Sequence, residues 1–309
     1  MLDRRSVLAA LAASAAAPVR AATPAAYVDL MPDYFRVMDA AADLTPDGRA
    51  QALMDRFVTP HAALYEQAGV RKLTVAKIAK ATAKTAPLLP RMRELHRAFP
   101  ALFARNRRQF AKAFPDFSPT ASPVYLMPSF LRFDGHLEPN GKVLPLYLGL
   151  DGAVFFHGAA GDLGVLLAHE LFHCEHAQAS PGMLSDPEPP LWVSLWSEGL
   201  ATYVSESLHP EASRLHVLLD AEDLERRGDS FLRPWAQALL AKMDSRDEGD
   251  ARAFFSAGHE GPDPARGGYF VGLMIARRLG ETRSLRQLAA LTPAAAEPLV
   301  RAELRRLAG

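Results

Sequence analysis

The spacing of apolar residues predicts a mostly helical chain. Over residues 27–117, apolar positions recur three and four residues apart, as on one face of an α-helix, and Pro60 and Pro100 are the expected breaks. The basic stretch 91–108 has the same apolar spacing, so we interpret it as a solvated helix face above a core face and not as a phosphate-binding patch. We therefore predict a helical N-terminal region at 23–120.

A different pattern follows between residues 124 and 156. Aromatic and β-branched residues flank the turn signal Glu138-Pro139-Asn140-Gly141, which predicts a hairpin or a small sheet. Further helices are predicted at 161–178, 191–207, 211–227, 231–243, 268–279 and 295–307, with a loop at 180–190. The pattern indicates a predominantly helical α+β fold.

The first 22 residues are typical of a signal peptide. Arg4 and Arg5 precede an uncharged stretch of Ala, Leu and Val over residues 7–17, and small residues follow near position 22. The apolar run of about 11 residues is shorter than the roughly 20 that span a bilayer as a helix, so no membrane anchor is expected. We predict a periplasmic or secreted protein, with the twin-arginine route and ordinary secretion both open.

Composition narrows the choice of function. The 309 residues carry 35 basic and 35 acidic side chains, so the formal charge is zero and a nucleic-acid partner is disfavoured. Hydrophobic residues make up 49% of the chain, which supplies enough apolar side chains for a sizeable core. The single cysteine, Cys174, excludes an intramolecular disulfide, so packing and a bound metal are the available sources of stability.

The sequence His169-Glu170-Leu171-Phe172-His173 is an HExxH motif on a predicted helix. Residues four apart on an α-helix differ by about 40° in direction, so the two histidines project from one face and can converge on one Zn²⁺. Glu170 lies beside them, where its carboxylate can accept a proton from water at the metal. A third ligand is expected at Glu198, because this acidic residue among apolar neighbours is costly to bury unless it binds a positive charge.

The stretches LLAHELFHCEHA (166–177) and SLWSEGLATYVSE (194–206) resemble gluzincin metallopeptidases, in particular bacterial predicted zinc-dependent proteases. The resemblance covers roughly residues 120–280 and implies a zinc metallopeptidase-like catalytic region, which we place at 121–309. It also implies zinc at His169, His173 and Glu198, with Glu170 as the general base. Two features differ from the family. The GxMEN-type segment of the aminopeptidases is absent, and Thr202 stands where some gluzincins have an Asp that supports a histidine ligand.

Other candidate residues near the motif have simpler interpretations. His176 lies about 10 Å further along the helix axis than His169, too far to share an ion, so we expect a polar residue at the helix end. Cys174 is offset by about 100° from His173, which favours a buried, inert thiol. An oxyanion donor is also required, and the resemblance implies a Tyr or His after the Glu ligand. Tyr269 is the candidate, with a packing tyrosine as the equal alternative, and His259 is a loop residue expected to face solvent.

We predict an exported zinc-dependent hydrolase, a peptidase acting on peptide or protein substrates, in which Glu170 activates water at Zn²⁺. The resemblance implies that the small sheet holds an extended peptide by strand addition. The alternative is a zinc-stabilised, non-catalytic binding or scaffold protein with the same fold. A third hypothesis is a chance HExxH in a helical interaction protein. The substrate, the exo- or endopeptidase mode and the oligomeric state stay open.

Overall fold

The computed structural model describes residues 27–309. The signal peptide predicted for residues 1–22 lies outside this range. Within residues 27–309, no helix combines the length and the apolar character needed to cross a membrane.

The described residues form an α+β fold in which helices predominate. The strands are β1 (Tyr27–Asp29), β2 (Val124–Met127), β3 (Gly135–Leu137) and β4 (Leu146–Gly149). The helices are α1 (Met31–Ala40), α2 (Pro46–Leu53), α3 (Ala62–Gln67), α4 (Val75–Thr85), α5 (Leu89–Ala113), α6 (Leu150–His157), α7 (Leu163–Ala179), α8 (Leu191–Leu208), α9 (Arg214–Val217), α10 (Glu222–Lys242), α11 (Glu248–Phe255), α12 (Gly267–Gly280), α13 (Leu285–Ala289) and α14 (Pro293–Ala308). A π-helical turn (Met54–Val58) follows α2, and a 3₁₀ turn (Ala86–Leu88) joins α4 to α5.

The strands form one sheet in the order β1-β2-β4-β3. The pairs β1–β2 and β2–β4 are parallel, whereas β3 is antiparallel to β4, with Gly135 opposite Leu148 and Leu137 opposite Leu146. The hairpin prediction is therefore confirmed for β3 and β4. All of β4 is buried, but β3 is half-exposed and pairs with one neighbour among the described strands, so it forms an edge of the sheet.

The end of the predicted sheet region is helical. Residues 150–157 form α6, and the buried Asp151 carboxylate in its first turn accepts backbone N–H groups from the loop before β3, Ser129 at 2.6 Å and Leu131 at 2.9 Å. These bonds also fix the loop that leads into β3. Strand β1 also differs from the prediction, which places its residues in the helical N-terminal region.

Two helix boundaries differ from the prediction. Pro100 lies inside α5, so it does not interrupt that helix. The helices expected at 211–227 and 231–243 are replaced by the short α9 and the continuous α10. Between these two, Leu219 and Asp220 have left-handed backbones, with φ of 54° and 59°, which ends α9 and turns the chain.

Helix α7 lies at the centre of the fold. Most of its side chains are buried, and it packs against α5, α8, β3 and β4. Helix α8 crosses α12 at two glycines, Gly199 and Gly272. A Cβ atom added to Gly272 would lie 2.6 Å from the Gly199 Cα, so the helix backbones approach too closely for any side chain.

Replacing Gly199 by Ala is expected to force α8 and α12 apart, since its Cβ would meet the backbone of Gly272. We expect a loss of about 1–3 kcal/mol in the free energy of unfolding, the usual cost of overpacking. Urea denaturation measures this loss. Gly182→Ala is the matched control, because its Cβ would have only ordinary contacts, 3.5 Å from Pro293. Equal stability of the two variants would contradict the close crossing.

Candidate metal centre

Two helices bring the predicted ligands together. Helix α7 begins at a side-chain cap, where Asp162 accepts the N–H groups of Gly164 at 2.8 Å and Val165 at 3.3 Å. His169 and His173 lie one turn apart on this helix, and α8 packs alongside with Glu198. The three residues form the one group of potential metal ligands found among residues 27–309.

The three ligand atoms form a nearly equilateral triangle. Nε2 of His169 lies 3.2 Å from Nε2 of His173 and 3.2 Å from Oε2 of Glu198, and the third side, from His173 to Glu198, is 3.5 Å. Ligands about 2.0–2.1 Å from a tetrahedral zinc ion are separated by about 3.3 Å from one another. The triangle therefore has the size that one zinc ion requires, with the fourth tetrahedral position free of these ligands.

The charges at the triangle favour a cation. The histidines hold the pKa of Glu198 well below its usual range despite the burial of the carboxyl. Burial alone would lower the pKa of His173, but the Glu198 carboxylate raises it to about 9. Burial lowers the pKa of His169, which favours its neutral form. The half-buried Glu198 carboxylate beside a neutral imidazole thus favours a positive charge, which either a proton on His173 or a metal ion can supply.

Thr202 forms a hydrogen bond within its own helix, and Tyr269 covers one ligand ring. Thr202 Oγ1 donates to the Glu198 backbone oxygen at 2.7 Å within α8, so this hydroxyl proton supports neither histidine. Nδ1 of His169 is buried without a hydrogen-bond partner among the described residues. The ring of His169 is instead covered by Tyr269, with the centroids 6.0 Å apart and the planes tilted by 22°.

Glu170 lies beneath the start of β3. A Cβ atom added to Gly135 would fall 2.6 Å from Glu170 Oε2, so the strand passes directly over this carboxyl group. Burial raises the pKa of Glu170 to about 8, and the carboxylates of Asp134 and Glu198 act in the same direction. Sequence analysis missed Gly135 as a site residue. The sequence did contain an indication of this role, because a glycine within a predicted strand often marks the close approach of another group.

Tyr269 lies at the start of α12, next to the metal centre. Burial and the nearby Glu198 carboxylate raise its pKa well above the usual value, so the hydroxyl stays protonated and can donate. Within residues 27–309, its hydroxyl has no hydrogen-bond partner. Tyr269 thus lies beside His169 of the motif, and its role as an oxyanion donor stays a prediction.

The other candidates lie outside the triangle. His176 was expected to be a polar residue at the helix end, but it is fully buried and stacked on Phe172 with 5.2 Å between centroids. Burial lowers its pKa to about 3, so this ring is neutral. Cys174 is buried, and burial raises its pKa to about 12, in agreement with an inert thiol. His259 is half-buried and lies 3.0 Å from Asp263 Oδ1 within its own loop.

Comparison with known proteins gives no relative for this chain. No protein-family model, no curated protein and no solved structure matches it. The relation to gluzincins therefore stays a resemblance of the two motif segments. The chemistry of the site has to be inferred from its own geometry.

Proposed function

We propose that the protein is a zinc-dependent hydrolase that cleaves peptide bonds. The observation that carries this proposal is the triangle of His169, His173 and Glu198 at the separation that a tetrahedral zinc ion requires. Two histidines and one glutamate are a ligand set of catalytic zinc sites, in which one position is left for water or substrate. Structural zinc sites have four protein ligands instead, and the described residues offer three here.

His169, His173 and Glu198 would hold the zinc ion, which would supply a Lewis acid to polarise a carbonyl group and to lower the pKa of water. The chain supplies the proton transfer. Glu170 stands next to His169 on α7, where its carboxylate can accept a proton from water and later return it. We infer that Glu170 takes a proton from the attacking water and delivers it to the leaving amine.

The edge of the sheet supports a peptide as the substrate. Strand β3 is half-exposed, has an unpaired edge among the described strands and passes over Glu170 at Gly135. An extended peptide can add to such an edge through backbone hydrogen bonds, which brings a peptide carbonyl close to the general base. This mode of binding depends on backbone groups and is compatible with many sequences.

Cleavage of a mixed peptide library by the zinc-loaded protein tests the function. Mass spectrometry should detect new peptide termini, and prior removal of metal by a chelator should abolish them, with recovery when zinc is added back. Zinc binding without any cleavage would favour the alternative, a zinc-stabilised binding or scaffold protein.

Tyr269→Phe is expected to lower kcat by roughly 10²–10³, because the hydroxyl donates to the oxyanion mainly in the transition state. KM and zinc content should change little, since the ring that covers His169 is kept. Steady-state kinetics and a metal assay measure these quantities. Tyr203→Phe on α8 is the control and should have nearly normal kcat. A kcat of Tyr269→Phe within about threefold of the original protein would leave Tyr269 with a packing role.

A further inference from the structure

A buried histidine next to the site lies between two carboxylates. The His157 side chain, at the end of α6, is only 4% exposed. Its Nε2 lies 2.7 Å from Asp134 Oδ2, and its Nδ1 lies 3.3 Å from Asp220 Oδ2 and 3.2 Å from the Leu219 backbone oxygen. Both ring nitrogens therefore face oxygen atoms, which suits an imidazolium that donates on both sides.

On its Nε2 side, His157 is linked to Glu170 through Asp134 and Gly135. Asp134 immediately precedes Gly135, the residue that covers the Glu170 carboxyl group. Asp134 also accepts the Gly135 N–H through Oδ1 at 2.8 Å, and its backbone oxygen accepts the Gly149 N–H at 2.8 Å. The position of β3 above Glu170 thus depends on where Asp134 is held, and His157 is its side-chain partner.

On its Nδ1 side, His157 contacts Leu219 and Asp220, which form the turn between α9 and α10. Asp220 binds His157 and also lies 2.7 Å from His216 Nδ1. Arg266, the residue before α12, donates to the Leu219 backbone oxygen at 3.0 Å, and its Cζ lies 5.9 Å from the Tyr269 ring centroid. The same turn therefore contacts both His157 and the residue that precedes the helix of Tyr269.

The charges around His157 keep it protonated at neutral pH. Burial alone would lower its pKa, but hydrogen bonds to Asp134 and Asp220 raise it to about 9, against a smaller opposing effect of Arg266. The groups that face this cluster are Asp134 just before β3, His216 on α9, Asp220 in the turn after α9, and Arg266 just before α12. The cation joins two carboxylates that would otherwise repel each other.

We propose that His157 is a positioning residue for Glu170: by bridging Asp134 and the Leu219–Asp220 turn, it fixes β3 above the general base. The proposal rests on the function proposed above, since Glu170 is taken as the base. His157 does not touch the reacting atoms in this scheme. Its effect on catalysis passes through Asp134 and Gly135.

His157→Gln tests this role. A glutamine keeps a polar side chain but cannot carry the charge that bridges both carboxylates. We therefore expect kcat to fall about 10–100-fold, which is part of the rate enhancement that a general base contributes. Zinc content and KM should stay within about threefold of those of the original protein. His96→Gln is the matched control, because His96 forms a similar pair, 2.8 Å from Asp29 Oδ2. It should leave kcat unchanged within about twofold.

Combination with Glu170→Gln separates positioning from a general structural effect. If His157 acts through Glu170, adding His157→Gln to Glu170→Gln should lower the residual rate by less than about twofold. A further loss equal to that of the single His157→Gln variant would overturn the proposal. Asp220→Asn is a milder second variant if His157→Gln folds poorly, since it keeps the bond to Asp134, and an effect on kcat below about twofold would also contradict the bridge.

A melting experiment over pH reports on His157 independently of activity. A histidine with a raised pKa in the folded protein stabilises it fully below the unfolded pKa of about 6.5 and loses this contribution as pH rises through about 9. The difference in Tm between the original protein and His157→Gln should therefore be largest below pH 6.5, decrease between pH 6.5 and 9, and be smallest above pH 9. A difference independent of pH would refute the charged bridge. Complete lack of peptide cleavage by the original protein would instead refute the proposed function alone.

Discussion

Replacing Glu198 by Ala is expected to reduce bound zinc from about one ion per chain to a small fraction of that value. The variant keeps two histidines, which cannot complete the three-ligand set that the triangle provides. It should also lose the stabilisation that zinc gives to the folded protein, about 2.7 kcal/mol when free zinc is 100 times its Kd. Metal analysis by mass spectrometry and unfolding with and without added zinc measure both effects.

The same helix offers a matched control for this experiment. Glu206 lies two turns after Glu198 on α8 and forms an ion pair with Arg277 on α12. Glu206→Ala removes a carboxylate from α8 and should leave the zinc content unchanged. Full zinc occupancy in Glu198→Ala would show that Glu198 is not the third ligand. His169→Ala and His173→Ala should resemble Glu198→Ala, because each removes one corner of the same triangle.

Glu170→Gln is expected to keep its zinc and to lose most hydrolysis, with kcat lower by about 10²–10⁴. The substitution keeps the shape of the side chain beneath Gly135 but removes the carboxylate that accepts a proton. Steady-state kinetics on a peptide that the original protein cleaves, together with zinc analysis, provide the measurement.

Glu175→Gln controls for this loss of charge. Glu175 is also a buried carboxyl group on α7, and burial raises its pKa to about 7, but it belongs to no ligand group. We expect nearly normal kcat in this variant. Hydrolysis by Glu170→Gln at a normal rate would exclude Glu170 as the general base. Loss of zinc from Glu170→Gln would indicate instead that the carboxyl group takes part in metal binding.

The elements predicted best are those specified by local sequence. Helices α7 and α8 follow from apolar spacing and from the proline-rich loop between them, and the β3–β4 pair follows from its turn residues. Strand β1 could not be predicted in this way. It has three residues, and its pairing with β2 joins segments almost 100 residues apart in sequence.

Pro100 shows the limit of a local rule. Proline removes a backbone donor and usually ends a helix, but α5 continues through it to Ala113. Phe99 and Phe103 on this helix are buried in the core, and the burial of such side chains outweighs the loss of one hydrogen bond. Packing in the core therefore keeps α5 continuous at Pro100.

In the candidate site, too, local sequence predicts some features, whereas others depend on tertiary contacts. The fixed spacing of four residues on a helix was sufficient to place His169 and His173 together, whereas Glu198, expected to be buried among apolar neighbours, is half-buried. Gly135 and the bridge between Asp134 and His157 could not be predicted, since they depend on contacts across the sheet and the turn. His176 was placed incorrectly because helical geometry excludes it as a ligand but does not specify its burial.

X-ray absorption at the zinc edge of the zinc-loaded protein tests the proposed metal centre most directly. The triangle predicts two imidazole nitrogens at about 2.0–2.1 Å, with the remaining ligands being oxygens at about 2.0–2.2 Å. Multiple scattering should indicate two imidazole rings, from His169 and His173, and the Glu198→Ala variant should not give this spectrum. A sulfur ligand at about 2.3 Å, a third imidazole ring, or a protein that binds no zinc would contradict the centre proposed here.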